Sequence, residues 1–332
     1  MRSLMALSVL AFPALAGQQG SWGYWGYSYE QIDVTAFGTR EYAINLAHQC
    51  HRLDGLLREI LAITSQERPP VHIYALDAEH MRRVGGSSGT ASFAEGKNEF
   101  TVRFESSQTD NYWSAYYGYI GALLASDRQL EGRPDWYSIG VPMAFADVRF
   151  EGVNKVRIGS INQGLAYTLA REAPLIPMRK FLSIKRRDAA LAGKSTLYQS
   201  EAWYLAREIY LEGIHRAEFN HYLELMSGGT SEPEAFAASF KITYEQLDKE
   251  LLEIRPAHAY ILRAPTEDHV DPTGAQRLST AEVAGRLALL SLTYHHNADA
   301  LQLAKEALAQ QPDNATALRA VALAQAAAAE KP

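Results

Sequence analysis

The chain has 332 residues, of which 47% are hydrophobic and 21% charged, with a formal charge of −6 at pH 7. That is the balance of a folded chain with one sizeable core and room for an added helical module. The charge is mildly negative and the lysines and arginines form no stripe, which excludes a nucleic-acid partner, because a phosphate backbone would find little to neutralise it.

The first sixteen residues read as a signal peptide: Arg2, then an apolar run from Leu4 to Phe12, then the small-x-small pattern Ala14-Leu15-Ala16. An exported protein, periplasmic or secreted, is therefore expected. The apolar run is too short to span a bilayer and no later segment is long enough, so no integral membrane segment is expected after cleavage. No cysteine follows the cleavage site, so a lipoprotein anchor is not indicated. Cys50 is the single cysteine. With no internal disulfide, stability must come from packing, and Cys50, inside a helical pattern, reads as a buried small apolar residue.

Residues 17–28 are rich in glycine and aromatics (Trp22, Tyr24, Trp25, Tyr27) and read as an arm that packs back onto its own domain. Ile32, Val34 and Ala36 alternate as a strand, and residues 39–63 carry apolar positions at helical spacing. Val71–Leu76 reads as a second strand, Asp77 as the cap of a short helix through Val84, Gly85–Gly89 as a turn, and Phe100, Val102 and Phe104 as a third strand.

From residue 109 the pattern is almost wholly helical. Thr109 or Asp110 can cap a helix whose face runs from Tyr112 to Leu124, and a second helix follows Pro134, with Pro142 expected to kink or shorten it. Helices are expected at about 160–171 and 198–226, and Ser231 with Glu234 and Thr243 with Gln246 are capping-box signatures for two more.

Residues 264–278 are polar and bear proline and glycine, as a linker does. Ser279 and Glu282 form a further capping box. Leu287, Ala288, Ala300, Ala304, Ala307 and Pro312 match the small and turn positions of one tetratricopeptide-like helical hairpin, which Ala315–Ala328 continues. One such repeat cannot bury its own face, so it must dock on the main domain or on a partner. The expected fold class is α+β and mostly helical, with a small mixed sheet and its helices over 17–263, a linker over 264–278 and a helical tail over 279–330.

The segment Ala115-Tyr116-Tyr117-Gly118-Tyr119-Ile120-Gly121-Ala122 is followed by Pro134-Asp135-Trp136-Tyr137-Ser138-Ile139-Gly140, and a strand at 100–104 precedes both. This order resembles the bacterial peptidase-MA-like zincins, a gluzincin group often followed by tetratricopeptide repeats. The likeness continues at Tyr198–Trp203 and from Phe236 to Leu251, and covers roughly residues 28–255 in pattern and spacing.

In that family the first helix carries HExxH and the second a glutamate after proline and an aromatic. Two histidines at i and i+4 share a helical face and hold one zinc ion, and the glutamate between them moves the proton of the bound water. By position, Tyr117 stands for the first histidine, Gly118 for the general base, Gly121 for the second histidine and Ile139 for the third ligand. None of the four can do its counterpart's task. The resemblance thus implies a degenerate peptidase: no catalytic or metal-ligating residue, no cofactor, and an old cleft lined by Tyr117, Trp136 and Tyr137 that holds a peptide or another envelope protein without cutting it. The competing reading of the same residues is a seam of small side chains, Ala115, Gly118, Ala122 and Ala125, that lets another backbone approach.

Other chemistry is weaker. His48 and His51 share a helical face but lack a third metal ligand, and read as a solvated or capping pair. His295-His296 falls at the expected hairpin turn. Gly193-Lys194-Ser195-Thr196 echoes a phosphate-binding loop, yet its first glycine would be Asp188, a carboxylate that repels phosphate. Ser87 and Ser88 lack the Gly-x-Ser-x-Gly order of a hydrolase elbow, and Lys185-Arg186-Arg187 reads as a solvated helix end. Two alternatives to the binding module stand: a hydrolase with a non-standard site that uses His48, His51 or His221, and a structural envelope protein.

Overall fold

The computed structural model describes residues 22–63, 65, 68–87, 91–96, 99–106, 112–126, 132–172, 174–184, 188, 193–252, 259–264 and 272–329. The expected signal peptide, the Thr109 or Asp110 cap, Ser88 with the end of the 85–89 turn, and Lys185–Arg187 lie outside these residues.

The molecule is α+β and mostly helical. Its main sheet has six strands: β1 (Gly23–Tyr29), β2 (Ile32–Gly38), β3 (Val71–Leu76), β4 (Ala91–Glu95), β5 (Phe100–Glu105) and β9 (Gln276–Arg277), in the order β4-β5-β3-β2-β1-β9. The β2, β3 and β5 strands run parallel, while β1, β4 and β9 are antiparallel to their neighbours. The aromatic arm expected at 17–28 is in its described part β1, because Tyr24 and Tyr27 bury their rings on opposite sides of the sheet.

Both faces of the sheet are covered, and β3 is accordingly buried on both sides apart from the half-buried His72. Val71, Ile73 and Ala75 face the larger core with helix α1 (Arg40–Ile60), whose N-terminus Thr39 caps through the Tyr42 N–H at 3.2 Å. Tyr74 and Leu76 face a second core with Met81 and Val84, on and just after α2 (Ala78–Arg83). This second core is closed by the tail helices α11 (Thr280–Thr293), α12 (Asn297–Gln310) and α13 (Ala315–Ala329).

The tail is pinned by directed contacts as well. Arg286 donates to Asp33 at 2.9 Å and to Thr35 at 2.8 Å, Arg83 pairs with Glu306 at 2.6 Å, and the Arg103 guanidinium lies 3.4 Å from the centre of the Tyr294 ring. The expected linker contains a 3-10 turn at Pro272–Gly274 and β9, so its chain is drawn into the sheet edge. His295 and His296 fall at the turn between α11 and α12, and the His296 ring lies over Gly85.

The larger core holds α3 (Trp113–Ser126), α4 (Asp135–Phe145), α5 (Gln163–Arg171), α6 (Met178–Phe181), α7 (Ser195–Tyr210), α8 (Arg216–Ser227), α9 (Glu232–Ser239) and α10 (Tyr244–Leu252). A small sheet of β6 (Arg149–Phe150), β7 (Lys155–Ile158) and β8 (Tyr260–Arg263) flanks them. Pro142 does not end α4, which runs on to Phe145 and stops within the next turn. The single helix expected over 198–226 is two helices, because Gly213 and His215 both take positive φ between α7 and α8. Among the described residues no helix is long and apolar enough to cross a membrane.

Candidate functional site

Gly118 and Gly121 lie three residues apart on α3 and so share a face. That face is turned to the main sheet. A methyl group built on Gly118 would overlap Val102, and one built on Gly121 would come within 2.5 Å of the Phe93 ring. Val102 on β5 and Phe93 on β4 are cross-strand partners, so the two glycines form a groove over a ridge of the sheet. Each helical glycine costs about 1 kcal/mol relative to alanine, and the close helix–sheet approach is the steric reason for both.

Ile139 is buried in the core on α4, and Tyr117 is half-buried, its ring stacked on Trp113 at 5.2 Å. A phenol, two glycines and an aliphatic chain do not fit a divalent cation. No group of three His, Cys, Asp or Glu side chains placed to hold a metal occurs among the described residues.

Trp136 and Tyr137, expected beside Tyr117 in a cleft, are only 0% and 1% exposed. They sit at the first turn of α4, where Trp136 packs edge-on against Phe219 and Tyr137 against Tyr210, so their rings are core and not lining. The third close approach in this region is Gly140, where a side chain would overlap the carbonyl oxygen of Ala202 as α4 crosses α7.

An open aromatic cavity lies one helical turn before Tyr117. It has a volume of about 390 Å³ and is lined by Tyr112, Trp113 and Tyr116 at the start of α3, Gln49 on α1, and Ala146–Phe150 after α4. Tyr116 donates to Gln49 Oε1 at 3.4 Å, and Tyr112 stacks between Tyr42 and Tyr116. Arg52 braces the floor: its guanidinium lies 4.2 Å from the centre of the Phe150 ring and donates to the carbonyl oxygens of Gly152 and Val153. Asp147 and Arg149 are the charged groups among the described lining residues. Burial pushes the Asp147 carboxyl above the usual carboxylate range, and Arg149 offsets part of that. The cavity therefore offers aromatic faces with one acidic and one basic group, a set suited to holding a chain segment with polar and apolar parts.

No protein-family model and no curated protein matches the chain.

His48 is buried and not solvated as expected, within 3.0 Å of the Tyr27 hydroxyl and stacked near Tyr29. His51 faces Glu30 at 3.5 Å. His221 on α8 meets Ser239 at 3.2 Å. Cys50 is fully buried, and burial pushes its thiol well above the ordinary range. The residues missed from the sequence are Gln49 on α1, Asp147 in the turn after α4 and Arg149 on β6. Only the aromatic start of α3 carried a local signal.

Proposed function

We propose that this chain is an exported, non-catalytic protein on a zincin-like scaffold, with a tetratricopeptide-like tail, that binds a peptide segment of a partner in the cavity at the start of α3. The observation that carries this reading is the packing of Gly118 and Gly121 on Val102 and Phe93. The positions of the general base and the second histidine, Gly118 and Gly121, carry no side chains and are turned onto β5 and β4, while the first ligand position holds Tyr117, stacked on Trp113. With the chemistry gone, the aromatic cavity one turn away is the accessible feature of the same helix. Tyr112 and Trp113 offer faces for apolar side chains, while Asp147 and Arg149 can take polar backbone or terminal groups.

The test pairs elemental analysis of the purified full chain with capture from a random peptide library read by mass spectrometry. No stoichiometric zinc and intact recovered peptides are expected, and Trp113→Ala should weaken the captured peptides at least about tenfold. One zinc per chain, chelator-sensitive cleavage, or no retained peptide would overturn the reading.

A further inference from the structure

A second cavity lies against α7, lined by none of the residues of the α3 site and independent of the peptide-binding reading. It encloses about 530 Å³ between α5, the segment 174–178, α7 and α10. Its wall is largely aliphatic, with Leu169, Leu175, Ile176, Leu205 and Leu251 among its residues, and Tyr204 adds an aromatic edge. That size and character are those of a small-molecule site, which needs few but well-placed polar groups.

The polar group here is Glu201, on α7, which is only 3% exposed. Its Oε1 accepts a hydrogen bond from the Ile176 N–H at 2.7 Å, whereas its Oε2 is buried and has no hydrogen-bond partner among the described residues. A buried polar atom left unpaired costs about 1–3 kcal/mol, so an unpaired oxygen on a residue that lines a ligand-sized cavity points to a missing partner. Asp248, across the cavity on α10, has its Oδ1 occupied by the Met178 N–H at 2.9 Å.

We propose that this cavity binds a small, uncharged, largely apolar molecule bearing a carbonyl-type oxygen, which accepts a hydrogen bond from the Glu201 carboxylic acid. The direction of that bond follows from proton placement. Burial raises the acid to about 8, the nearby Asp248 adds to this, and the Ile176 N–H and Lys194 partly offset it. Tyr198 and Tyr204 are the other titratable neighbours, and Tyr198 is itself pushed up by burial. At neutral pH Glu201 is therefore mostly protonated, and since Oε1 already accepts a bond, its proton resides on Oε2 as a donor. An acceptor ligand uses that state as it stands. An ammonium ligand would first require Glu201 to lose its proton.

Three near-isosteric probes separate these cases: acetophenone, ethylbenzene and 1-phenylethylammonium. Each is titrated into the full chain by heteronuclear NMR, following the methyl signals of Leu169, Leu205 and Leu251. At pH 6.5 all three signals should shift with acetophenone, which should bind about fivefold more tightly than ethylbenzene, as one net hydrogen bond provides. That preference should disappear by pH 9.5, where Glu201 is ionised. Glu201→Gln, whose amide N–H also donates, should keep the ketone preference and lose its pH dependence. The inference is overturned if no probe shifts these signals at millimolar concentration. It is equally overturned if the hydrocarbon matches the ketone at pH 6.5, or if the ammonium binds more tightly than the ketone there.

Discussion

At the scale of single residues, the three glycines of α3 and α4 differ in what they touch, and this sets what their replacement costs. A methyl group on Gly118 would meet a γ-methyl of the buried Val102, a side-chain atom that can give by a rotamer change. On Gly140 it would meet the backbone carbonyl of Ala202, which cannot move without shifting α7. Gly140→Ala should therefore lose about 1–3 kcal/mol of stability, and Gly118→Ala less. Urea unfolding of the two variants against the parent checks the order, which reverses if α4 and α7 are free to separate. Restoring a glutamate at 118 and a histidine at 121 would strain the helix–sheet seam before any metal could be held.

Individual elements show where local chemistry is enough to define a helix end. Ser279 and Glu282 close a reciprocal cap on α11, with the Glu282 N–H donating to the serine hydroxyl and the Ser279 N–H donating to the glutamate. Thr243 and Gln246 do the same before α10. At α9 the Ser231 hydroxyl instead donates to the Glu234 carboxylate at 2.5 Å and makes no backbone cap. Ser279→Ala should thus lower the melting temperature through a loss of about 1 kcal/mol, while Ser231→Ala should leave it nearly unchanged. Differential scanning calorimetry distinguishes the two, and equal shifts would contradict the assignment. The caps at Ser279 and Thr243, the alternation of β2 and β5, the apolar stretch of β3 and the helical faces of α1 and α3 were legible because their determinants are neighbours in sequence. The break between α7 and α8 was not, since Tyr210 and Phe219 keep an unbroken apolar pattern across it and only the backbone at Gly213 and His215 records the turn. Likewise β4 carries Ala91, Phe93 and Glu95 in a weakly alternating stretch, and becomes a strand only by pairing with β5. The aromatic cavity was half legible for the same reason: Tyr112, Trp113 and Tyr116 lie on one helix, but Gln49 and Asp147 reach them only through the tertiary fold.

For the whole molecule, the decisive arrangement is one sheet buried by two helical layers from opposite ends of the chain. The tail covers Tyr74, Leu76, Met81 and Val84, so its removal uncovers a contiguous apolar face. A chain ending at residue 278 should bind a hydrophobic dye and unfold at a lower temperature than the full chain, as fluorescence and calorimetry would record; an unchanged transition would mean that the tail adds nothing to the sheet.

The β1–β9 pairing also sets a timetable. Gly26 finds its partner in Gln276, so β1 has an unsatisfied edge until β9, about 250 residues further along (276 − 26), has been made. Closing so long a loop is slow, and the nascent edge is open to unwanted strand pairing until β9 arrives.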